Sequence, residues 1–319
     1  MNSKQTLYAH ILSPLRSCPL LPPTMDPFSG ESELLNLTTA FYTHAYQQVL
    51  DFDTSPLSSS NKPTAQILKH RAQIALGQQQ QVVSALSKSQ DAASKAIVAL
   101  ARNDVDAAAT LAESQDSEDA TVQICCGTVL AANDQYQAAV GLLSKHQGSL
   151  EAVALLVQTH LLNNRTDLAV KEVQAAKRWA QDSLIINLAE AWTNIRSGGQ
   201  EKYQSAYYVY EELASTPGSQ SPTALVGQAV AELHLGRTEE AEAALNQIMD
   251  REDVNVEALA NSLVLLYATG KGREDRAKDL KGMLKRKDAD HVLLKDVAEK
   301  EALFDQAASK YSAKVAITA

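Results

Sequence analysis

Apolar residues along this chain fall into pairs of helical stripes recurring about every 33 residues, with a small side chain near the start of each second stripe. The aligned positions are Val49, Val82, Ala108, Ala139, Ala169, Ala206, Ala241 and Ala277, separated by 33, 26, 31, 30, 37, 35 and 36 residues. The clearest copy spans Ala224 to Met249. Leu225, Val226, Ala229, Val230 and Leu233 share one face of its first helix, Gly236 stops that helix, and Ala241, Ala244, Leu245, Ile248 and Met249 share one face of the second. Two antiparallel helices joined by a short turn come closest beside that turn, so a side chain much larger than Ala241 would force them apart. A period of this length predicts stacked helical hairpins, each burying its apolar face on its neighbours.

The other copies follow the same logic. Asp134 to Gln137 reads as a capping box before Ala138 and Ala139, and Thr166 with Asp167 plays that part before Ala169. Val256, Leu259, Ala260, Leu263, Val264 and Tyr267 form another stripe, and Ile185, Leu188, Ala189 and Trp192 a further one. Trp179, Trp192 and Tyr210 lie at helical spacing among aliphatic residues and read as core. No alternating strand pattern of comparable length occurs. The expected fold is all-α, a tetratricopeptide-like α-solenoid of about fifteen to seventeen helices forming one elongated, curved domain. Its expected limits are 25–312, behind a disordered or non-native extension over 1–24 and ahead of a short tail over 313–319. Its structural repeat positions are Ala139, Ala169, Ala206, Gly236, Ala241 and Ala277. Asp51 to Lys62, rich in Ser and Pro, reads as a flexible link after the first unit.

Composition narrows the function. A net charge of −9 is the wrong sign for a chain that draws its affinity from phosphates, so nucleic acid is not an expected partner. One basic run, Lys271 to Lys287, reads as a solvated helix face with i,i+4 pairs, or as a contact for an acidic partner or membrane surface. No stretch of eighteen or more apolar residues exists to span a bilayer. In the first 24 residues His10, Ser13 and Pro14 interrupt the apolar core a signal peptide needs, and two basic residues make a poor transit peptide. Cys125 and Cys126 are adjacent on an expected helix and read as small core residues. The seven histidines show no metal-binding spacing, and Gly270-Lys271-Gly272 lacks the spacer and hydroxyl of a phosphate loop. No nucleophile elbow or isolated carboxylate pair stands out. The chain reads as a non-catalytic binding protein with no cofactor and no metal.

A set of short motifs is more specific than the repeat itself. Ala40-Phe-Tyr42 is followed by Tyr46-Gln-Gln48; then come Leu188-Ala-Glu-Ala-Trp192, Gly198-Gly199 ahead of Ala206-Tyr-Tyr208, Gly227-Gln-Ala229 running into Leu235-Gly-Arg237, and Lys300-Glu-Ala-Leu-Phe304-Asp305 before Tyr311. In order and separation these resemble the epsilon subunit of coatomer, the COPI vesicle coat, from Met25 to about Ser312. That resemblance implies a cytoplasmic coat component, peripheral on Golgi membranes and COPI-coated vesicles, that serves Golgi-to-ER retrograde and intra-Golgi transport. It implies direct binding to the C-terminal domain of the alpha subunit of coatomer, membership with the other coatomer subunits, and recruitment of the coat by an Arf-type GTPase. A curved stack would offer a long inner surface lined by first helices, and the candidate contacts there are Phe41, Tyr42, Tyr46 and Gln47, with Tyr207 and Tyr208. The alternative is a tetratricopeptide-type co-chaperone or adaptor holding the peptide of another client. Capture of a carboxylate terminus would need a Lys and an Asn four apart on an early inner face, and the helix around Phe41 has neither.

Overall fold

The periodic stripes fold as helices throughout. The computed structural model describes residues 31–215, 221–249, 255–270 and 274–311, and the expected extension over 1–24 and tail over 313–319 lie outside the described residues. Among the described residues there are seventeen α-helices and no strand. Eight hairpins account for sixteen of them. Unit 1 is α1 (Glu31–Tyr42) with α2 (Tyr46–Asp51), unit 2 is α3 (Asn61–Ala75) with α4 (Gln79–Leu86), unit 3 is α5 (Ala92–Arg102) with α6 (Val105–Glu113), and unit 4 is α7 (Ala120–Ala132) with α8 (Tyr136–Leu143). Unit 5 is α9 (Leu150–Leu162) with α10 (Thr166–Lys177), unit 6 is α11 (Leu184–Ser197) with α12 (Gln200–Ser215), unit 7 is α13 (Pro222–Leu235) with α14 (Thr238–Met249), and unit 8 is α15 (Val256–Thr269) with α16 (Glu274–Lys287). A last helix, α17 (Val292–Ala308), covers the end of the stack with Leu293 and then runs past it, leaving Leu303, Phe304 and Tyr311 exposed.

Every small-residue position falls on the second helix of its unit, and all eight side chains are buried. The turn that leads into each of them follows one rule. Six turns place a left-handed residue five positions ahead of the small one: His44, Gly77, Asn103, Asp134, Asn164 and Gly236. In each, the following amide donates to the carbonyl five residues back, as in Ala45 to Ala40, Gln135 to Leu130 and Arg237 to Glu232, while the left-handed residue donates to the carbonyl three back. These are Schellman turns, which satisfy the last carbonyls of the first helix and reverse the chain at once.

This geometry corrects the expected capping boxes. Asp134 is the turn residue at φ 60°, its carboxylate accepts from the Tyr136 hydroxyl at 2.5 Å, and Gln135 at the cap makes no side-chain capping bond. Thr166 is likewise the first helical residue, and Asp167 is gripped by Arg165 at 2.8 and 2.9 Å rather than capping α10. Side-chain caps are found mainly on first helices, which are entered from loops instead of tight turns: Asp91, Asp119, Ser149 and Asn255 each accept from the first turn that follows.

Two further expectations change. The Ser- and Pro-rich stretch after unit 1 is tied down rather than flexible. Glu33 accepts from the Ser58 amide and the Asn61 side chain at 2.9 and 2.8 Å, Lys69 donates to the Leu50 and Phe52 carbonyls, and Leu57 is buried. Trp179 is 43% exposed in the turn that follows α10, whereas Tyr210 is in the core.

Candidate functional site

The stack winds tightly enough that distant units meet. Ile124 on α7 joins the core of units 1 and 2, and the Arg71 guanidinium on α3 donates to Glu151 on α9, eighty residues away, at 2.6 Å. On the other side of unit 1, His44 Nδ1 lies 2.9 Å from the Thr223 hydroxyl at the start of α13, 179 residues on. First helices therefore face an axis, and α9 is buried along nearly its whole length. The inner surface is thus closed over by unit 1 instead of lying open as a groove.

A cavity of about 170 Å³ remains on that axis. Its apolar wall is Ile185, Leu188 and Trp192 on α11, Tyr210 and Leu213 on α12, and Ala224 and Val226 on α13. Its polar members are Gln158 on α9, Ser221 and Thr223 at the entry to α13, and Asn255 with Glu257 at the entry to α15. Tyr42, Thr43 and His44 form the wall contributed by unit 1. The helices approach closely here. A Cβ on Gly227 would lie 2.4 Å from the Tyr210 ring, so only glycine lets α13 lie flat on that ring. Burial drives the Tyr210 hydroxyl far above the ordinary tyrosine range, and the Trp192 side chain hydrogen-bonds to it. Burial also holds the His44 imidazole down, to about 4.

The six candidate contacts divide. Phe41 and Tyr42 are 1% and 6% exposed, so they pack inside the chain; the expectation that they project toward a partner is corrected to core, with Tyr42 also forming part of the cavity wall. The cause is the return of the chain. Phe41 is stacked edge-on with Tyr42 and Tyr46 at 6.1 and 5.5 Å, and Arg71 lies over its ring at 5.1 Å, so units 2 and 4 cover what would be an open face. Tyr46 is half-buried, with its ring on His44 at 5.4 Å, and Gln47 is exposed and donates to Asp51. Tyr207 is half-buried under Arg237, whose guanidinium lies 5.4 Å from the ring centre, and its hydroxyl donates to Glu211. Tyr208 is 59% exposed. These two tyrosines contact each other but are not among the residues lining the axial cavity.

Sequence reasoning missed His44, Thr223, Arg71 and Glu151. Two left a trace: His44 stands where unit 7 has its turn glycine, and Arg71 interrupts the apolar stripe of Ala65, Leu68 and Ala72. Burial pushes the Glu151 carboxyl up, to about 7, against the pull of Arg71. Cys125 and Cys126 are buried and their thiols are pushed up to about 12, which removes the thiolate that reactivity would need.

No group of three metal-binding side chains and no helix long and apolar enough to cross a membrane occurs among the described residues. Comparison with known proteins places the chain among coat proteins. A probable coatomer subunit epsilon of Schizosaccharomyces pombe is 31% identical over 258 residues, covering 79% of this chain and 88% of the relative. Coatomer subunit epsilon-1 of Arabidopsis thaliana is 29% identical over 302 residues, covering 90% of this chain and all of the relative. The Caenorhabditis elegans coatomer subunit epsilon is 27% identical, covering 87% and 98%. The family defined as the coatomer epsilon subunit matches residues 30–312, a span that takes in all eight hairpins and the axial cavity, and the chain therefore belongs to the coatomer epsilon-subunit family.

Proposed function

We propose that this chain is a non-catalytic subunit of the COPI coat that binds and stabilises the C-terminal domain of the alpha subunit, and so supports Golgi-to-ER retrograde and intra-Golgi transport. The other coatomer subunits are then reached through alpha, and an Arf-type GTPase acts on the coat rather than on this chain. The observation that carries the reading is the axial cavity, a largely apolar interior space walled by units 1, 5, 6, 7 and 8. Apolar walls of this kind favour a protein segment that buries area, because aromatic residues such as Trp192 give large contact area at little entropic cost. Gln47 and Tyr208 remain exposed for contacts outside the cavity.

The co-chaperone alternative fits less well. Among the described residues lining the cavity there is a carboxylate, Glu257, and no lysine or arginine, so a carboxylate terminus finds no clamp of fixed positive charge there. The test is calorimetric titration of the purified chain with the C-terminal domain of alpha. Leu188→Glu puts a charge in the cavity wall and should weaken binding at least about thirtyfold, or about 2 kcal/mol. Tyr208→Ala, away from the cavity, should change it by less than about 1 kcal/mol. Wild-type affinity in a folded Leu188→Glu chain would sink the reading.

A further inference from the structure

One edge of the axial cavity is built from equivalent positions of two neighbouring units. Ser221 and Thr223 stand at the entry to α13 in unit 7, and Asn255 and Glu257 stand at the entry to α15 in unit 8. Ser221 and Asn255 share the same extended backbone, both at φ −67° with ψ 127° and 134°, and each is the residue that precedes its helix. Asn255 caps: its Oδ1 accepts from the Glu257 and Ala258 amides at 2.9 and 3.2 Å. Ser221 does not, and the Ala224 amide donates to its carbonyl instead, at 3.1 Å. The Ser221 hydroxyl is therefore left over. The residue is 6% exposed and lines the cavity, and its buried Oγ has no hydrogen-bond partner among the described residues. The neighbouring Thr223 hydroxyl lies 2.9 Å from His44 Nδ1, and Glu257 is directed to His291 at 3.5 Å.

We propose that the cavity is a pocket for one tyrosine side chain of the partner, its ring against the apolar wall and its hydroxyl hydrogen-bonded to Ser221. This deepens the reading of the cavity as the site for alpha and rests on it. Size sets the first limit. A cavity of about 150 Å³ suffices for a benzene ring, so a space of about 170 Å³ takes one six-membered ring with a small substituent. Chemistry sets the second. An aliphatic occupant would shut the Ser221 hydroxyl away from water without a partner, and a charged one would lose its hydration against Ile185, Leu188 and Leu213. A phenol avoids both costs, because its hydroxyl can donate to the serine oxygen or accept from it. Trp192 and Tyr210 in the wall add ring-to-ring contact that an aliphatic side chain cannot match.

Titration calorimetry of the full chain with p-cresol and toluene, the side chains of tyrosine and phenylalanine, tests the pocket. p-Cresol should bind at least about fivefold tighter than toluene, and Ser221→Ala should reverse that order, since the phenol then enters without a group to bond it. Toluene preferred by the wild type, neither probe bound, or an unchanged order in Ser221→Ala would overturn the proposal. The urea midpoint of Ser221→Ala should equal or exceed that of the wild type, because the hydroxyl serves no bond of the free chain. A lower midpoint would mean that the hydroxyl supports the fold, and would overturn the proposal too. With the alpha C-terminal domain as titrant, saturating p-cresol should weaken association at least about tenfold. Unaltered affinity in its presence would show that no ring of the partner enters. A chain that prefers p-cresol through Ser221 but does not bind alpha would instead refute the proposed function, while upholding the selectivity of the pocket for a phenol.

Discussion

Two glycines show how one residue type carries opposite consequences at different positions. Gly227 lies against the Tyr210 ring with no room for a methyl group, while Gly141, on α8, has open space where its Cβ would be. Gly227→Ala should therefore destabilise the chain by about 1–3 kcal/mol, through the overpacking that shifts α12 and α13 apart. Gly141→Ala should stabilise it by about 0.5–1 kcal/mol, because a helical glycine costs backbone entropy that alanine does not. Urea unfolding of the two variants side by side checks both, and equal effects of the same sign would contradict the packing account. The small side chains were legible in the sequence because their cause is local: the short turn forces two helices together in the residues beside it. Gly227 was legible only as part of a motif, since its reason lies on a different unit.

At the scale of elements, the turns and the caps use the same residue types for different ends. Asp and Asn tolerate a left-handed backbone and also accept from the amides of a helix start, so Asp134 read from sequence looks equally suited to either. The structure separates them by place in the turn. The left-handed position of a Schellman turn, Asp134 or Asn103, closes the helix before it, whereas a residue in extended backbone immediately ahead of a helix, such as Asp119 or Asp104, accepts from the amides of the helix it opens. Asp119→Ala, which removes the acceptor for the Thr121 and Val122 amides, should cost about 0.5–2 kcal/mol. Gln135→Ala, at a cap without a side-chain bond, should be nearly silent. The helix count and the register of all eight hairpins were legible from the stripes, whereas these boundaries needed the backbone angles.

The winding of the whole molecule was the least legible feature, and that is why the aromatic residues of unit 1 read as outward contacts. An amphipathic stripe states that a face is buried but not which unit, 80 or 179 residues away, buries it. Phe41 and Tyr42 satisfy the same pattern whether they meet a partner or the chain's own inner helices. The buried Arg71–Glu151 pair makes that closure testable. Both side chains are withdrawn from water, at 5% and 10% exposure, so each charge is tolerable only because the other is present. Removing one partner leaves an uncompensated buried charge, which should cost about 3–5 kcal/mol, and replacing both with apolar residues of similar size should be far milder. Arg71→Met should accordingly lower the urea midpoint more than the double variant Arg71→Met, Glu151→Leu. The loss should be visible as faster amide exchange in both unit 2 and unit 5, because the pair fastens one to the other beside Phe41. A double variant as unstable as the single one, or exchange that quickens in unit 2 alone, would mean that the cross-axis contact contributes nothing and that nearest-neighbour stacking alone holds the ring.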